Sequence, residues 1–498
     1  MNILLLSMPD SFEHMPTVAV RMPNGALCSL AGNIDPHHHI AVADLVLVQQ
    51  RVRQTVEQLV HKHRPDVVGL SIMTFQRKTA LNIIELLRQL RPEVRVVVGG
   101  YDPSLAPQAY MYQDSHVDFI VRGEGEVTFC ELLQALECGG SMSHIVGLFY
   151  REPGGGWREN PARPVHSLES GEIRPPRRDV RVLEGYTMLG RKVDVVETSR
   201  GCTFDCGFCS IIEMRGRNFH TYSFERVLDD IRDARERGAR CVFLVDDNIT
   251  LNIKRFEGLC QAIVDGGLND IDYIVQAMTS PIAMHGETLA PLMRKAGFRY
   301  VFLGIENVLE DDLDFLKASA KNEFREDGRK AGNATLRAIG HLHRNKMLVV
   351  GGLIIGNPDD TRESIQANLD FARKYVDWPY IQHPTPYPGT PMTNDFRARN
   401  LIQIESTEQY DGTTAIVATR HLAPQEIEYA RWRAERWMKV RHIPALFSHD
   451  PLFVLRTFPK MLVYNFRGSS LKTMFGIESD WAAFQRYRAL RFRERVYL

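Results

Sequence analysis

The segment RGCTFDCGFCSI, residues 200–211, places Cys202, Cys206 and Cys209 at spacings of four and three. Thiolates at such spacing are metal ligands or redox groups, and the number of them discriminates. A disulfide uses two. A structural zinc site needs a closed set of four Cys or His ligands, usually paired as C-x2-C. Only Cys206 and Cys209 are so paired, and the nearest further donors are His220 and Cys241. A 4Fe–4S cluster takes one thiolate per iron. Three thiolates leave one iron open to a ligand that the protein does not supply.

Such a loop needs elements to hold it. From residue 186 to 395, apolar runs rich in β-formers recur at 193–199, 241–247, 271–278, 299–306, 348–356 and 380–387. Helical segments follow most of them, as in SFERVLDDIRDARERG (223–238), where Phe224, Val227, Leu228 and Ile231 share one face. Six βα units predict a partial barrel, a fold in which chemistry sits at the C-terminal ends of the strands. The cysteine loop follows the first of these strands.

Residues 1–145 alternate strands at 2–8, 40–48, 66–73, 95–100 and 118–124 with helical patterns such as VRQTVEQLVHKH and TALNIIELLRQL. That order predicts a doubly wound, Rossmann-like α/β domain with helices on both faces of a parallel sheet. Residues 146–185 read as a hairpin (145–160) and a polar, proline-bearing linker (167–179). Residues 396–498 form a C-terminal, mainly helical region rich in aromatic residues and arginine. Within it 426–442 predicts a helix whose stripe of Ile427, Ala430, Ala434 and Trp437 packs on the barrel, or else walls the substrate.

Composition narrows the function classes. Lys+Arg and Asp+Glu balance at 61 each, so no net charge points to nucleic acid or an anionic membrane. No run approaches the roughly 18 apolar residues of a membrane span. The N-terminal MNILLLSMPD reads as a strand, with no export signal, and eight scattered cysteines fit a reducing cytoplasm rather than a disulfide framework.

The C-x3-C-x2-C loop after the first barrel strand resembles the signature of the radical S-adenosylmethionine (SAM) enzymes. In that superfamily the open iron chelates SAM, and an electron from the cluster cleaves it to methionine and a 5′-deoxyadenosyl radical. The resemblance implies a cluster held by Cys202, Cys206 and Cys209, with Phe208 beside the adenine. Asp246 and Asp247 of VDDN (245–248) stand where the family binds the methionine amino group, or else cap a helix. Glu306 of GIEN (304–307) reads as a cofactor or substrate contact, or as a cap. Gly352 and Gly356 of GGLIIGNP (351–358) match a strand motif at which backbone approaches the adenine. Gln276 and Thr279 end the third strand, where relatives often carry a charged SAM contact and this chain departs from the pattern.

The first section sharpens the resemblance. RPDVVGLSIMT (64–74), VVVGGYDPSLAP (96–107), DFIVRGEGE (118–126) and TPYPGTP (385–391) resemble the cobalamin-binding radical SAM family, over about residues 1–395. Ligands of open α/β sheets bind beyond the C-terminal strand ends. Those ends carry Ser71, Thr74, Gly99, Gly100, Gly123, Glu124, Gly125 and Glu126, which the resemblance assigns to cobalamin. The cobalt-ligating Asp-x-His-x-x-Gly motif of many corrinoid proteins is absent. DPHHHI (35–40), which holds His37, and DSHVDF (114–119) both lack its glycine, and DPHHHI also precedes the second strand instead of following the first. Most members of the family lack that histidine, so the lower cobalt face is expected to be open or shielded by a nearby residue such as Ile72, Met73 or Phe75.

The resemblance implies a cobalamin-dependent radical SAM methyltransferase acting on an unactivated carbon of a small molecule of natural-product, lipid or tetrapyrrole type. The deoxyadenosyl radical removes a substrate hydrogen and the corrinoid delivers a methyl group, with flavodoxin or ferredoxin as electron donor. The alternative within the family is a radical oxidative cyclase, related to the anaerobic magnesium-protoporphyrin ester cyclase, or a rearrangement enzyme. A transfer-RNA methylthiotransferase would need a second cysteine trio, and Cys28, Cys130 and Cys138 are too scattered for one. A non-catalytic corrinoid sensor would have no use for the triad.

Overall fold

In the strand Asn2–Ser7, Leu4 and Leu6 point to one side and Ile3 and Leu5 to the other, and all four are buried. A strand apolar on both faces needs helices on both. The computed structural model describes residues 1–12, 20–326, 329–438, 475–493 and 497–498, with isolated residues between 447 and 473. In it, Leu4 and Leu6 pack with Val56 and Leu87 of the helices Val52–His63 and Arg77–Leu90. Ile3 and Leu5 pack with Leu27 and Phe129 of the helices Gly25–Asn33 and Glu126–Cys138.

The first sheet runs His39–Asp44, Asn2–Ser7, Val67–Ser71, Arg95–Gly99 and Phe119–Val121, all parallel. The antiparallel pair Leu148–Arg151 and Trp157–Glu159, the expected hairpin, extends its edge. Strand order reverses between Asn2–Ser7 and Val67–Ser71, so the crevice for a ligand opens beyond Ser71. His39–Asp44 is shorter than the expected 40–48, because Leu45–Val48 forms a 3₁₀ turn that buries Leu45 and Val48.

The second sheet carries six parallel strands in chain order: Arg191–Val196, Cys241–Leu244, Asp272–Met278, Phe298–Glu306, Leu348–Ile354 and Trp378–Gln382. This is the predicted half-barrel. In the helix Phe224–Glu236, Val227 and Ile231 are buried and Phe224 and Leu228 pack beside them. One feature departs from the sequence reading. Val20–Arg21, from the first section, joins the far edge of this second sheet through Thr187–Met188.

The C-terminal helix Pro424–Met438 lays Ile427, Ala430 and Ala434 on the barrel core as expected, while the Trp437 side chain lies outside the described residues. Arg491 of the helix Asp480–Arg493 is fully buried against Asp411 and Glu428. Among the described residues no helix is long and apolar enough to cross a membrane.

The segment expected as a linker ends as a stitched strip. Val42 and Val180–Val182 exchange backbone hydrogen bonds of 2.9 Å, which ties the strip to the first sheet. Arg181 then grips Asp194 of the second sheet with two bonds, 2.7 and 3.0 Å, and Arg178 reaches Asp194 and Asp230. Burial alone would raise the Asp194 carboxyl, but the two guanidiniums hold it below the usual carboxylate range. Removing one member of a buried ionic group leaves the others uncompensated, at about 3–5 kcal/mol. Asp194→Ala should therefore lower unfolding stability at pH 7 by about 3–5 kcal/mol in denaturant titrations. A loss below about 1 kcal/mol would mean that the strip is held by backbone bonds alone.

Candidate functional site

The cysteine loop leaves the strand Arg191–Val196 and is closed at its base by Ser199–Arg200 pairing with His220–Thr221. Gly201 turns the chain inward at φ +90°, where a Cβ would stand 2.4 Å from the Asn218 carbonyl oxygen. Gly207 N–H donates to the Leu316 carbonyl (3.0 Å), and its own carbonyl accepts from Met392 N–H (2.9 Å). Cys206 is buried, and Cys202 and Cys209 are half-buried.

The three sulfur atoms do not all lie within 4.8 Å of one another, a spread that a cluster giving each thiolate its own iron accommodates. Burial pushes the Cys209 thiol up to about 12 and raises Cys206 as well, with the Lys321 charge opposing the shift at both.

Both aspartates of VDDN face this loop, and neither caps a helix. Asp246 accepts from Thr198 N–H (2.7 Å) and from the hydroxyls of Thr198 and Ser199. Asp247 accepts from Gly201 N–H (2.7 Å) and from Arg215 (3.3 Å). The pair anchors the loop's entry, which spacing along the chain could not reveal. Asn248 completes the turn, with its amide nitrogen 3.8 Å from Cys202 Sγ.

Glu306 sits at φ +60° beyond a register break in its strand, a left-handed conformation that a glutamate adopts only when its surroundings compel it. Its carboxylate meets Lys321 Nζ at 3.1 Å, and a Cβ on Gly304 would crowd that carboxylate at 2.9 Å. Lys321 is the residue that sequence reading missed. Its ammonium lies 5.7 Å from the Phe208 ring centre, and its charge acts on Cys206 and Cys209. A lone lysine in ASAKNEF carries no motif that would have marked it.

Thr279 bonds to the Lys321 carbonyl and Asn322, so it holds the lysine's segment. Gln276 is half-buried, two residues before its strand ends at Met278. At Gly352 the close neighbour is the Phe302 ring, and at Gly356 it is Ile427.

The C-terminal edge of the first sheet turns toward this loop. Ser71 Oγ accepts from the Asn24 side-chain amide (3.2 Å), and Gly123 N–H donates to Ser104 Oγ (3.0 Å). Thr74 is buried, Gly99 and Gly100 lead into the helix Tyr101–Leu105, and Gly125 precedes the helix Glu126–Cys138. Ile72 and Phe75 are buried in the domain, which leaves Met73 as the member of that trio with an accessible side chain. The two glutamates are turned another way. Glu126 takes Arg200 (2.6 Å) and Ser29 (2.7 Å), and Glu124 pairs with Arg215 and Arg200. Burial would raise Glu126, yet Arg200 outweighs it and holds the carboxyl at about 2. Arg200 and Arg215 flank the cysteines, so the carboxylates of Glu124 and Glu126 are paired across to the cysteine loop.

His37 and His38 gather on Glu137 before the strand His39–Asp44 begins. They therefore sit one strand length, roughly 17–20 Å, from the C-terminal edge of that sheet.

The comparisons agree with this layout. Residues 17–133 match the B12 binding domain family and residues 196–372 the Radical SAM superfamily. An uncharacterized methyltransferase of Pyrococcus horikoshii is 30% identical over 93% of this chain and 98% of its own. The anaerobic magnesium-protoporphyrin IX monomethyl ester cyclase of Rubrivivax gelatinosus is 26% identical over 74% of this chain and 64% of its own. The solved structure of OxsB, a cobalamin-dependent SAM radical enzyme with aqua-cobalamin and SAM bound, superposes with a TM-score of 0.67 at 16% identity, covering 99% of this chain and 80% of that one. That likeness is one of fold.

The loop's geometry sets a test. At Gly201 any side chain meets backbone at 2.4 Å in a conformation costing on the order of 1–3 kcal/mol, whereas a Cβ at Gly207 meets nothing nearer than 3.8 Å. Gly201→Ala should lose most of its iron on anaerobic reconstitution, and Gly207→Ala should keep it. Equal iron content in the two variants would contradict the loop geometry.

Proposed function

Because the chain belongs to the cobalamin-binding radical SAM family, we propose that it is a methyltransferase that places a methyl group on an unactivated carbon of a small molecule. The observation that carries this reading is the meeting of two strand-end edges: the cysteine loop of the barrel is ion-paired to the very loop that ends the first sheet. A reacting carbon between them is within reach of both cofactors, and orientation of that kind is worth many orders of magnitude in rate.

When bound, the cluster with SAM supplies a carbon-centred radical and the corrinoid a transferable methyl group. The chain's own residues bind and orient. Cys202, Cys206 and Cys209 hold the cluster, while Asp246 and Asp247 hold the loop that bears them. Phe208, Gln276, Glu306, Gly352 and Gly356 would line the SAM side, where Lys321, paired with Glu306, would supply a cation. Ser71, Thr74, Gly99, Gly100, Gly123 and Gly125 would border the corrinoid, with Met73 as the accessible apolar side chain beside it. Buried apolar side chains around the thiols exclude water that would quench a radical.

The units we assign are residues 1–145 for the corrinoid, 146–185 as the connecting strip, 186–395 for the barrel and 396–498 as the C-terminal helical region. Balanced net charge points to no nucleic-acid partner. Free cysteines and an oxygen-sensitive cluster suit a cytoplasm with flavodoxin or ferredoxin as reductant.

The cyclase relative supports a second reading, ring closure without methyl transfer. Stoichiometry separates the two. Anaerobic turnover of a small-molecule extract with SAM bearing a deuterated methyl should give a product heavier by three deuteriums. S-adenosylhomocysteine and 5′-deoxyadenosine should form in equal amounts. Product formed with 5′-deoxyadenosine but no label and no S-adenosylhomocysteine would make the protein a cyclase.

A further inference from the structure

Four charged side chains at the meeting of the two sheets are almost wholly removed from water: Glu124 (8% exposed), Glu126 (7%), Arg200 (7%) and Arg215 (8%). Burying ion pairs is weak evidence for stability, since desolvation offsets the attraction, and their best-attested use is to fix register. These four are arranged for register. The glutamates close one loop of the first sheet. The arginines lie two residues before Cys202 and six after Cys209. Asp247 links Arg215 to the N–H of Gly201, the turn that starts the cysteine segment. Arg200 is also pinned from below by Glu197 (2.7 Å), so it cannot swing away without stranding two carboxylates.

Tyr101, directly after Gly99 and Gly100, is buried at the same meeting: burial pushes its phenol up, and the charges of Asp247 and Arg215 act on it. The residues that border the corrinoid and those that steady the thiols thus alternate along the same strand-end loops.

Resting on the cofactor reading above, we propose that Glu124 and Glu126 are positioning residues for the cluster loop, acting through Arg215 and Arg200, and are not ligands of the corrinoid. The first sheet then sets where the open iron points as well as where the corrinoid lies. Their separation is fixed by one short loop, Gly123–Glu126.

The test uses the full chain, anaerobically reconstituted, with Glu124→Gln and Glu126→Gln, which keep shape and remove charge. Hydroxocobalamin affinity is read by difference absorbance, and the reduced cluster by electron paramagnetic resonance with and without SAM. The expected result is an affinity for hydroxocobalamin within about twofold of the unaltered chain, together with a cluster signal whose response to SAM is changed or lost. Should a glutamine variant fail to fold, Glu124→Asp and Glu126→Asp keep every charge and shift it by about one bond. They should show the same altered response, weaker in degree. A fall of about tenfold in hydroxocobalamin affinity with an unchanged cluster signal would make the glutamates corrinoid ligands and overturn the proposal. So would the absence of either change, or a parallel loss of both in the charge-keeping variants. If the unaltered chain binds no cluster, it is the functional reading that fails.

Discussion

A guanidinium buried away from water must find a carboxylate, and that requirement organises the centre of this protein. Arg200 and Arg215 leave the barrel on either side of the cysteine segment and are answered by Glu126 and Glu124 from the other sheet. Arg178 and Arg181 meet the same requirement further along, at Asp194 and Asp230. The aliphatic cores supply most of the favourable free energy, at roughly 2 kcal/mol for each large side chain buried. They are indifferent to a small slide of one layer over another. Paired charges are not, because each must keep its partner within hydrogen-bonding distance.

The thiols show the same logic in reverse. Burial disfavours their ionised form, and the Lys321 ammonium works against that effect at Cys206 and Cys209. Glu306 balances that ammonium, at the cost of a left-handed backbone. Strain of this kind persists where the surroundings dictate it, and here they are a cysteine loop, an aromatic ring and a cation.

Much of the architecture was legible in the sequence, because it rests on local patterns. Apolar runs rich in β-formers marked the strands, the helix Val52–His63 lies where its pattern of apolar residues put it, and C-x3-C-x2-C carried the resemblance to the radical SAM family. What was not legible rests on partners far apart. Asp246 is separated from Thr198 by 48 residues and Glu126 from Arg200 by 74, so no spacing rule connects them. The glutamates of GEGE end a strand, where a ligand edge lies, and nothing local in the sequence shows that their carboxylates pair with arginines of the other sheet. Lys321 had no signal at all. The strip at 178–182 read as a linker from its prolines and charges, but its arginines are what bind it to Asp194.

The central claim is that three thiolates hold an iron–sulfur cluster with one iron left open. Iron and sulfide analysis of the anaerobically reconstituted chain, joined to electron paramagnetic resonance before and after adding SAM, addresses it directly. The account predicts about four irons and four sulfides per chain, a reduced-cluster signal that SAM shifts, and loss of both in the Cys202→Ala, Cys206→Ala and Cys209→Ala variants. A cluster that survives all three substitutions, a zinc ion in its place, or a signal indifferent to SAM would contradict it.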